Sequence, residues 1–204
     1  MKTTSQRRLG ILYLVSGPSG SGKTTLCKKI EAEGLAKYAI SATTRPMREG
    51  EEDGVSYFFL SIPEFQQKIE DNAFLEHASV HGNYYGTLKS EVINRLEQGI
   101  DIVMDIDVQG AEFIRKASEP LIQQCLVDLF VMPPSVEELE RRLRYRDTDA
   151  EDVIQLRLKN SIIEMDRWRE YTYCLTSTDR DKDYVAFKEI LFAERRKVSR
   201  KLSQ

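Results

Sequence analysis

The run Gly17-Pro-Ser-Gly-Ser-Gly-Lys-Thr24 sets two glycines, a lysine and a hydroxyl at the spacing G-x-x-x-x-G-K-[ST]. Residues of these types at this spacing cradle phosphate. Gly17 and Gly22 permit tight turns, Pro18 belongs to the same loop, successive backbone N–H groups from Ser19, Gly20 and Ser21 onward surround the anion, and Lys23 reaches its terminal oxygens. The Thr24 hydroxyl is the expected ligand of a magnesium ion, and Thr25 follows it into the helix that aims its positive dipole end at the same anion. A nucleoside triphosphate is the first ligand this pattern predicts.

Two further groups of charged residues could act on what such a loop holds. The apolar run Ile100–Ile106 carries Asp105 and leads to Asp107, and period-two geometry sends both carboxylates the same way while Ile106 turns to the core. Beside a phosphate loop, Asp105 is the natural residue to orient the metal shell through water, which leaves Asp107 for another ligand. The alternative is that the pair ends the strand and caps the next helix. Arg45 and Arg48 lie three apart in a loop-like segment, and guanidinium forks suit phosphate oxygens. Arg142 and Arg146 stand one helical turn apart and Arg157 lies on the returning helix, so one face could offer three positive charges to a transferring phosphoryl group. The alternative here is a solvated basic face paired to Glu137, Glu138, Glu140 and Glu151.

Apolar periodicity positions these groups. It alternates between strand-like and helix-like segments, which predicts an α/β fold with a largely parallel sheet. The run Ile11–Val15 reads as the first strand, Lys23–Glu33 as a helix closed by Gly34, and Tyr38–Ala42 as a short strand. From Glu49 to Leu88 glycines and aromatics dominate, which predicts short antiparallel strands around one helix near Pro63–Asp71, an inserted lobe. A helix near Lys89–Gln98 and the strand Ile100–Ile106 resume the parallel pattern. Capping boxes at Ser135–Glu138 and Thr148–Glu151 open two helices separated by a short break at Tyr145–Asp147, a lid-like arrangement.

At 204 residues the chain is long enough for one domain with a real core, and a net charge of -3 argues against a general nucleic-acid binder. Cys27, Cys125 and Cys174 are widely spaced without a C-x-x-C pair, which predicts reduced thiols and a cytoplasmic protein rather than a disulfide framework or zinc site. No apolar stretch is long enough to span a membrane or to form a signal-peptide core. The basic end Arg195–Lys201 reads as the solvated end of the last helix, with a subunit contact in a homo-oligomer as the alternative.

The residues resemble the guanylate kinase family from about Leu9 to Ala193. The resemblance is carried by the phosphate loop, Ser41-x-Thr-Thr-Arg45-x-x-Arg48, Gly50 and Gly54 followed by Tyr57, Phe74-Leu-Glu76, Gly82-Asn-Tyr-Tyr85-Gly-Thr87, Asp105-Ile-Asp107-Val-Gln-Gly110 and Pro133-Pro-Ser135. It implies a P-loop NTPase-type parallel sheet flanked by helices, with a small mixed GMP-binding lobe and a helical lid. The implied single domain has its core at about 9–40, 89–135 and 158–193, the lobe at about 41–88 and the lid at about 136–157. The implied activity is transfer of the γ-phosphoryl group of ATP to GMP, and to dGMP, with magnesium as cofactor.

The family pattern assigns guanine to Ser41, Glu76, Thr87 and Asp107, and the GMP phosphate to Arg45, Arg48, Tyr57 and Tyr85. It makes Lys23, Arg45, Arg142, Arg146 and Arg157 the charge-neutralising groups, Thr24 and Asp105 the metal residues, and Ser177 an ATP contact at the adenine end. The sequence departs from the pattern twice. Met47 rather than proline precedes Arg48, and Ser177 stands where the family commonly has asparagine, a shorter side chain with a narrower donor and acceptor set.

Two other readings stay open. Guanylate-kinase-like domains also occur as non-catalytic protein-binding modules, which typically lack an intact phosphate-loop lysine arrangement, whereas Lys23 and Thr24 are present here. A P-loop kinase for another phosphorylated small molecule is the other, and Ser41, Glu76 and Asp107 argue against it.

Overall fold

The computed structural model describes residues 8–80, 82–117, 119–145 and 151–201. In chain order the elements are β1 (Leu12–Ser16), α1 (Lys23–Ala32), β2 (Lys37–Tyr38), β3 (Ser41–Thr43), β4 (Phe58–Phe59), α2 (Ile62–Glu70), β5 (Phe74–Val80), β6 (Asn83–Leu88), α3 (Lys89–Glu97) and β7 (Ile102–Asp105). They continue with α4 (Val108–Arg115), α5 (Pro120–Cys125), β8 (Leu126–Met132), α6 (Val136–Arg144), α7 (Glu151–Met165), β9 (Tyr173–Thr176) and α8 (Arg180–Arg196).

Ile11 to Val15 are fully buried because β1 is the middle strand of a parallel sheet ordered β2-β7-β1-β8-β9, covered on both faces. Alternation divides its side chains. Tyr13 and Val15 pack with Leu26, Cys27 and Ile30 of α1 and Phe187 and Leu191 of α8, while Leu12 and Leu14 pack with Val92, Leu96, Ala111 and Ile114. A continuous apolar run is the sequence form of a strand buried on both sides, and the α/β class follows from it.

A second sheet, ordered β4-β3-β6-β5, forms the lobe. It is mixed, with β3 parallel to β4 and β6 antiparallel to both β3 and β5. Its own core is small: Ala42, Phe65 and Phe74 are buried, with Phe58, Leu60 and Tyr84 packed against them. Phe65 stacks on Phe74 with ring centroids 4.3 Å apart. The helix that supplies Phe65 is opened by a reciprocal capping box, in which Ser61 accepts from the Glu64 N–H and the Glu64 carboxylate accepts from the Ser61 N–H.

Three local expectations are corrected. The single strand expected over Tyr38–Ala42 is two strands in different sheets: β2 ends at Tyr38 and β3 begins at Ser41, so residues 39 and 40 are the joint between core and lobe. The strand expected from Ile100 starts later because Asp101 is an anchor. Its buried carboxylate accepts from the Ile11 N–H at 2.9 Å, from Arg8 at 2.6 and 2.9 Å and from Arg195 Nε at 2.6 Å. The basic end is accordingly solvated only in part: Arg196, Lys197 and Lys201 are exposed, whereas Arg195 and Arg200 turn inward. Arg195 serves Asp101, while Lys197 and Arg200 serve Glu194, whose side chain is fully buried. A buried carboxylate without such partners would be costly, so these cations are held by charges inside the molecule.

Candidate active site

The loop between β1 and α1 closes with Ser21 N–H donating to Pro18 C=O at 3.2 Å and Leu26 N–H donating to Gly22 C=O at 3.1 Å. Gly17, Gly20 and Gly22 all take positive φ, at 141°, 88° and 98°. Gly17 has a second reason to be glycine, since a Cβ there would lie 2.4 Å from the Val131 carbonyl oxygen of β8. A Cβ on Gly20 would lie 3.2 Å from Leu143 and 3.3 Å from Leu139, so the buried face of α6 rests directly on the loop. Among the described residues the lid-like region therefore starts from an element already packed on the loop.

Lys23 Nζ donates to the carbonyls of Gly17 at 2.6 Å and Pro18 at 2.9 Å, which folds the lysine over the loop. Burial lowers its pKa, and the nearby Asp105 and Glu164 carboxylates oppose that shift. Thr24 Oγ1 donates to Asp105 Oδ2, and the Tyr38 hydroxyl donates to Asp105 Oδ1. Ser19, Gly20, Gly22, Lys23, Thr24, Thr25 and Asp105 line a cavity of about 150 Å³. No cluster of three or more His, Cys, Asp or Glu side chains suited to a metal occurs among the described residues. One hydroxyl and one carboxylate, at the mouth of a phosphate cradle, fit instead a magnesium ion that arrives with phosphate oxygens completing its shell.

The lobe aligns a different set of groups. Register places Ser41 of β3, Thr87 of β6 and Glu76 of β5 in one row across three strands. The Ser41 and Thr87 hydroxyls are 3.3 Å apart, and Thr87 donates to Glu76 Oε1 at 2.9 Å. A register shift between Phe74 and Glu76 makes this row possible. It spends one residue, Leu75, in the main core and returns Glu76 to the face opposite Thr87. Burial raises the Glu76 pKa, the Thr87 hydrogen bond pulls it back, and the charge of Asp107 raises it further. Asp107 stands at the end of the strand-to-helix turn after β7, where its side chain also accepts from the Gly110 N–H at 2.7 Å as the N-cap of α4. The capping reading and a role toward a ligand are thus compatible in this residue, which remains exposed.

Beside that row lies a cationic corner. The Arg45 guanidinium sits 5.5 Å from the Tyr57 ring centroid and 5.9 Å from that of Phe59, and Tyr57 packs edge-on to Tyr85. Its NH2 group pairs with Glu51 at 2.7 Å, and Glu51 also accepts from the Arg48 N–H at 2.7 Å. Arg48 itself is exposed.

On the other side, Arg142 donates to Ser177 Oγ at 3.2 Å and to the Ser177 carbonyl at 3.0 Å, while its Nε pairs with Glu138. The paired-face alternative holds for Arg141 and Arg144, whose partners are Glu138, Glu140 and Glu151. Glu138 and Glu151 are pulled down to about 2 by those arginines. Arg157 is half-buried on α7. Arg146, most of the Thr148–Glu151 box and the break at 146–147 lie outside the described residues.

Three residues in these contacts escaped the sequence reading: Tyr38, Glu51 and Glu164. Tyr38 had no local signal, because only the sheet brings it to Asp105. Glu164 could have been found. It lies seven residues after Arg157 on α7, hence on the same side, and its raised pKa reflects burial opposed by Lys23 and reinforced by Asp107. Glu51 is three residues from Arg48, close enough in sequence to have been weighed as its partner.

A phosphate loop on a parallel sheet, with a carboxylate at the end of the neighbouring strand and a lobe that presents a second cationic corner, defines a P-loop nucleotide-binding α/β protein built for two ligands. The family model described as guanylate kinase matches residues 10–194, and the chain belongs to the guanylate kinase family. The guanylate kinase of Hydrogenovibrio crunogenus is 46% identical over 187 residues, covering 91% of this chain and 89% of that protein. That of Fusobacterium nucleatum subsp. nucleatum is 49% identical over 164 residues, covering 80% and 85%. The crystal structure of guanylate kinase from Anaplasma phagocytophilum matches with a TM-score of 0.75 at 28% identity, over 97% of this chain and 93% of that one.

Proposed function

We propose that this chain transfers the γ-phosphoryl group of ATP to GMP, and accepts dGMP as well, with the phosphate loop as donor site and the lobe as acceptor site. The observation that carries the acceptor assignment is the Ser41–Thr87–Glu76 row, with Asp107 close enough for its charge to raise the Glu76 pKa. Guanine offers N1–H and an amine as donors and O6 as an acceptor. Carboxylates at Glu76 and Asp107 suit the donors, and hydroxyls at Ser41 and Thr87 can serve O6. Adenine would place the N1 acceptor against carboxylates, and sites that demand such bonds discriminate by roughly 10⁴-fold. Arg45, Arg48, Tyr57 and Tyr85 are assigned to the GMP phosphate.

A GMP phosphate oxygen is already anionic, so the reaction needs alignment and charge neutralisation more than a general base. Lys23 would release the Gly17 and Pro18 carbonyls and follow the donor phosphates, with Arg45, Arg142, Arg146 and Arg157 sharing the charge of the transferring group. Thr24 and, through water, Asp105 would hold magnesium, which when bound neutralises phosphate charge. Tyr38 would keep Asp105 turned toward Thr24. Exclusion of water by lobe and lid would protect ATP from hydrolysis. No helix among the described residues is long and apolar enough to cross a membrane, and all three cysteines are free, so we assign the enzyme to the cytoplasm.

A coupled ADP-release assay over GMP, AMP, CMP and UMP tests the reading. Turnover is expected with GMP alone, and Glu76→Gln and Asp107→Asn are each expected to lower kcat/KM for GMP by roughly 10²-fold while the KM for ATP holds. Unchanged GMP turnover in both variants sinks the guanine assignment.

A further inference from the structure

The order β2-β7-β1-β8-β9 sets a direction along the carboxyl edge of the sheet. The lobe joins at β2 and the phosphate loop leaves β1, so a triphosphate with its terminal phosphate toward the lobe extends its sugar and base toward β8 and β9. Ser177 stands there. Its N–H continues the ladder by donating to the Met132 carbonyl at 2.7 Å, immediately after β9.

Ser177 is almost fully buried, at 5% exposure, and its hydroxyl has a fixed environment. Oγ donates its one proton to Asp183 Oδ2 at 2.7 Å and accepts from Arg142 NH1 at 3.2 Å. Asp183, at 8% exposure in the first turns of α8, is held in turn because its other oxygen accepts from the Thr178 N–H at 3.2 Å. An ionised carboxylate only accepts, so the serine proton has one destination. What Ser177 still offers is a pair of acceptors, the lone pairs of Oγ and its carbonyl oxygen, both accepting here from the Arg142 guanidinium.

Taking Ser177 as a donor-nucleotide contact, as proposed above, we infer that Asp183 fixes the polarity of the Ser177 hydroxyl and thereby selects a 6-amino purine over a 6-oxo purine in the phosphoryl donor. Once Arg142 turns to the transferring phosphoryl group, as proposed above, these two acceptors suit the exocyclic amine of adenine. The O6 of guanine or hypoxanthine would be an acceptor set against acceptors, and leaving such groups unpaired in a closed site is what makes rejection effective. A serine with a freely rotating hydroxyl could serve either base by turning its proton. The partner, rather than the serine, therefore carries the selectivity. The same device keeps the two base sites distinct, with an acceptor-only face for the donor's amine at Ser177 and a carboxylate pair for guanine in the lobe.

The experiment compares kcat/KM for γ-labelled ATP, GTP and ITP at saturating GMP in the parent, Asp183→Asn, Asp183→Ala and Ser177→Ala. In Asp183→Asn the amide oxygen continues to accept from the Thr178 N–H, which turns its NH2 toward Ser177 and releases the serine proton outward. The ATP-to-GTP and ATP-to-ITP ratios are expected to fall roughly tenfold in Asp183→Asn and Asp183→Ala, with the KM for GMP unchanged. Ser177→Ala is expected to lower both ratios as well. Each ratio is internal to one folded enzyme, so a loss of stability cannot mimic it. Ratios unchanged by both Asp183 variants but lowered by Ser177→Ala overturn the role of Asp183 alone. Ratios unchanged by Ser177→Ala overturn the placement of Ser177 at the donor base, and the inference with it.

Discussion

The phosphate loop and the lobe, donor and acceptor sites of the proposed reaction, are made from different material. The loop is backbone: eight consecutive residues, three glycines at positive φ, and a helix whose first turn completes the cradle. The lobe is side chain: Ser41, Glu76 and Thr87 come from three strands, Arg45 and Tyr57 from the segment between β3 and β4, and Asp107 from the core. The loop rests on the middle strand of a sheet buried on both faces, whereas the lobe depends on a core of three buried side chains. Backbone recognition tolerates any phosphate and needs rigidity. Side-chain recognition specifies a base and needs register.

Breaking the loop should abolish chemistry and leave the architecture intact. Lys23→Ala is expected to reduce kcat by about 10³-fold, as loss of a principal charge-stabilising group in phosphoryl transfer does, without lowering the thermal midpoint. A comparable loss of GMP affinity in the same variant would mean that the two sites are not separable. Breaking the lobe should do the reverse. Phe65→Ala removes the ring stacked on Phe74 and buried against Tyr84, at about 3–5 kcal/mol. Amide exchange is expected to accelerate through β3 to β6 while β1 and β7 stay protected, and ATP binding is expected to survive. Uniform acceleration over both sheets would show that the lobe has no stability of its own.

A smaller effect sharpens the contrast through pH. The Glu76 carboxyl titrates above the usual carboxylate value of 4.5, chiefly because it is buried, and in the proposed acceptor site its ionised form is the one suited to accept from guanine. As pH falls through that raised pKa, kcat/KM for GMP is expected to drop, while kcat/KM for ATP at saturating GMP does not follow the same curve. Glu76→Gln should flatten the GMP profile. The sign for stability is opposite. Ionised Glu76 costs the empty protein stability at neutral pH, and that cost is recovered as pH falls from the raised pKa to the ordinary one.

The same contrast explains what could be read from the sequence. The loop was legible because its function is contiguous: glycine spacing, lysine and hydroxyl sit within eight residues. Asp105 was singled out for its place at a strand end, and the structure brings its carboxylate to the Thr24 hydroxyl. The residues proposed for guanine were reached through resemblance, since nothing local joins Glu76 to Thr87, and the bulge that sends Leu75 inward is what pairs them. Tyr38 and Asp183 were missed because each acts on a residue more than five positions away, across a sheet or a turn. The basic end was misread because Arg195 and Arg200 answer buried carboxylates that the sequence presents as ordinary charges.

Asp101 draws arginines from both directions, with Arg8 93 positions away and Arg195 94 positions away. Its consequence falls on the timing of synthesis. When residue 101 leaves the ribosome, the strand it anchors can pair with β1, but half of its counter-charge is still untranslated. Until residue 195 emerges, the middle of the sheet carries a carboxylate short of partners, so its last consolidation must wait for the end of α8.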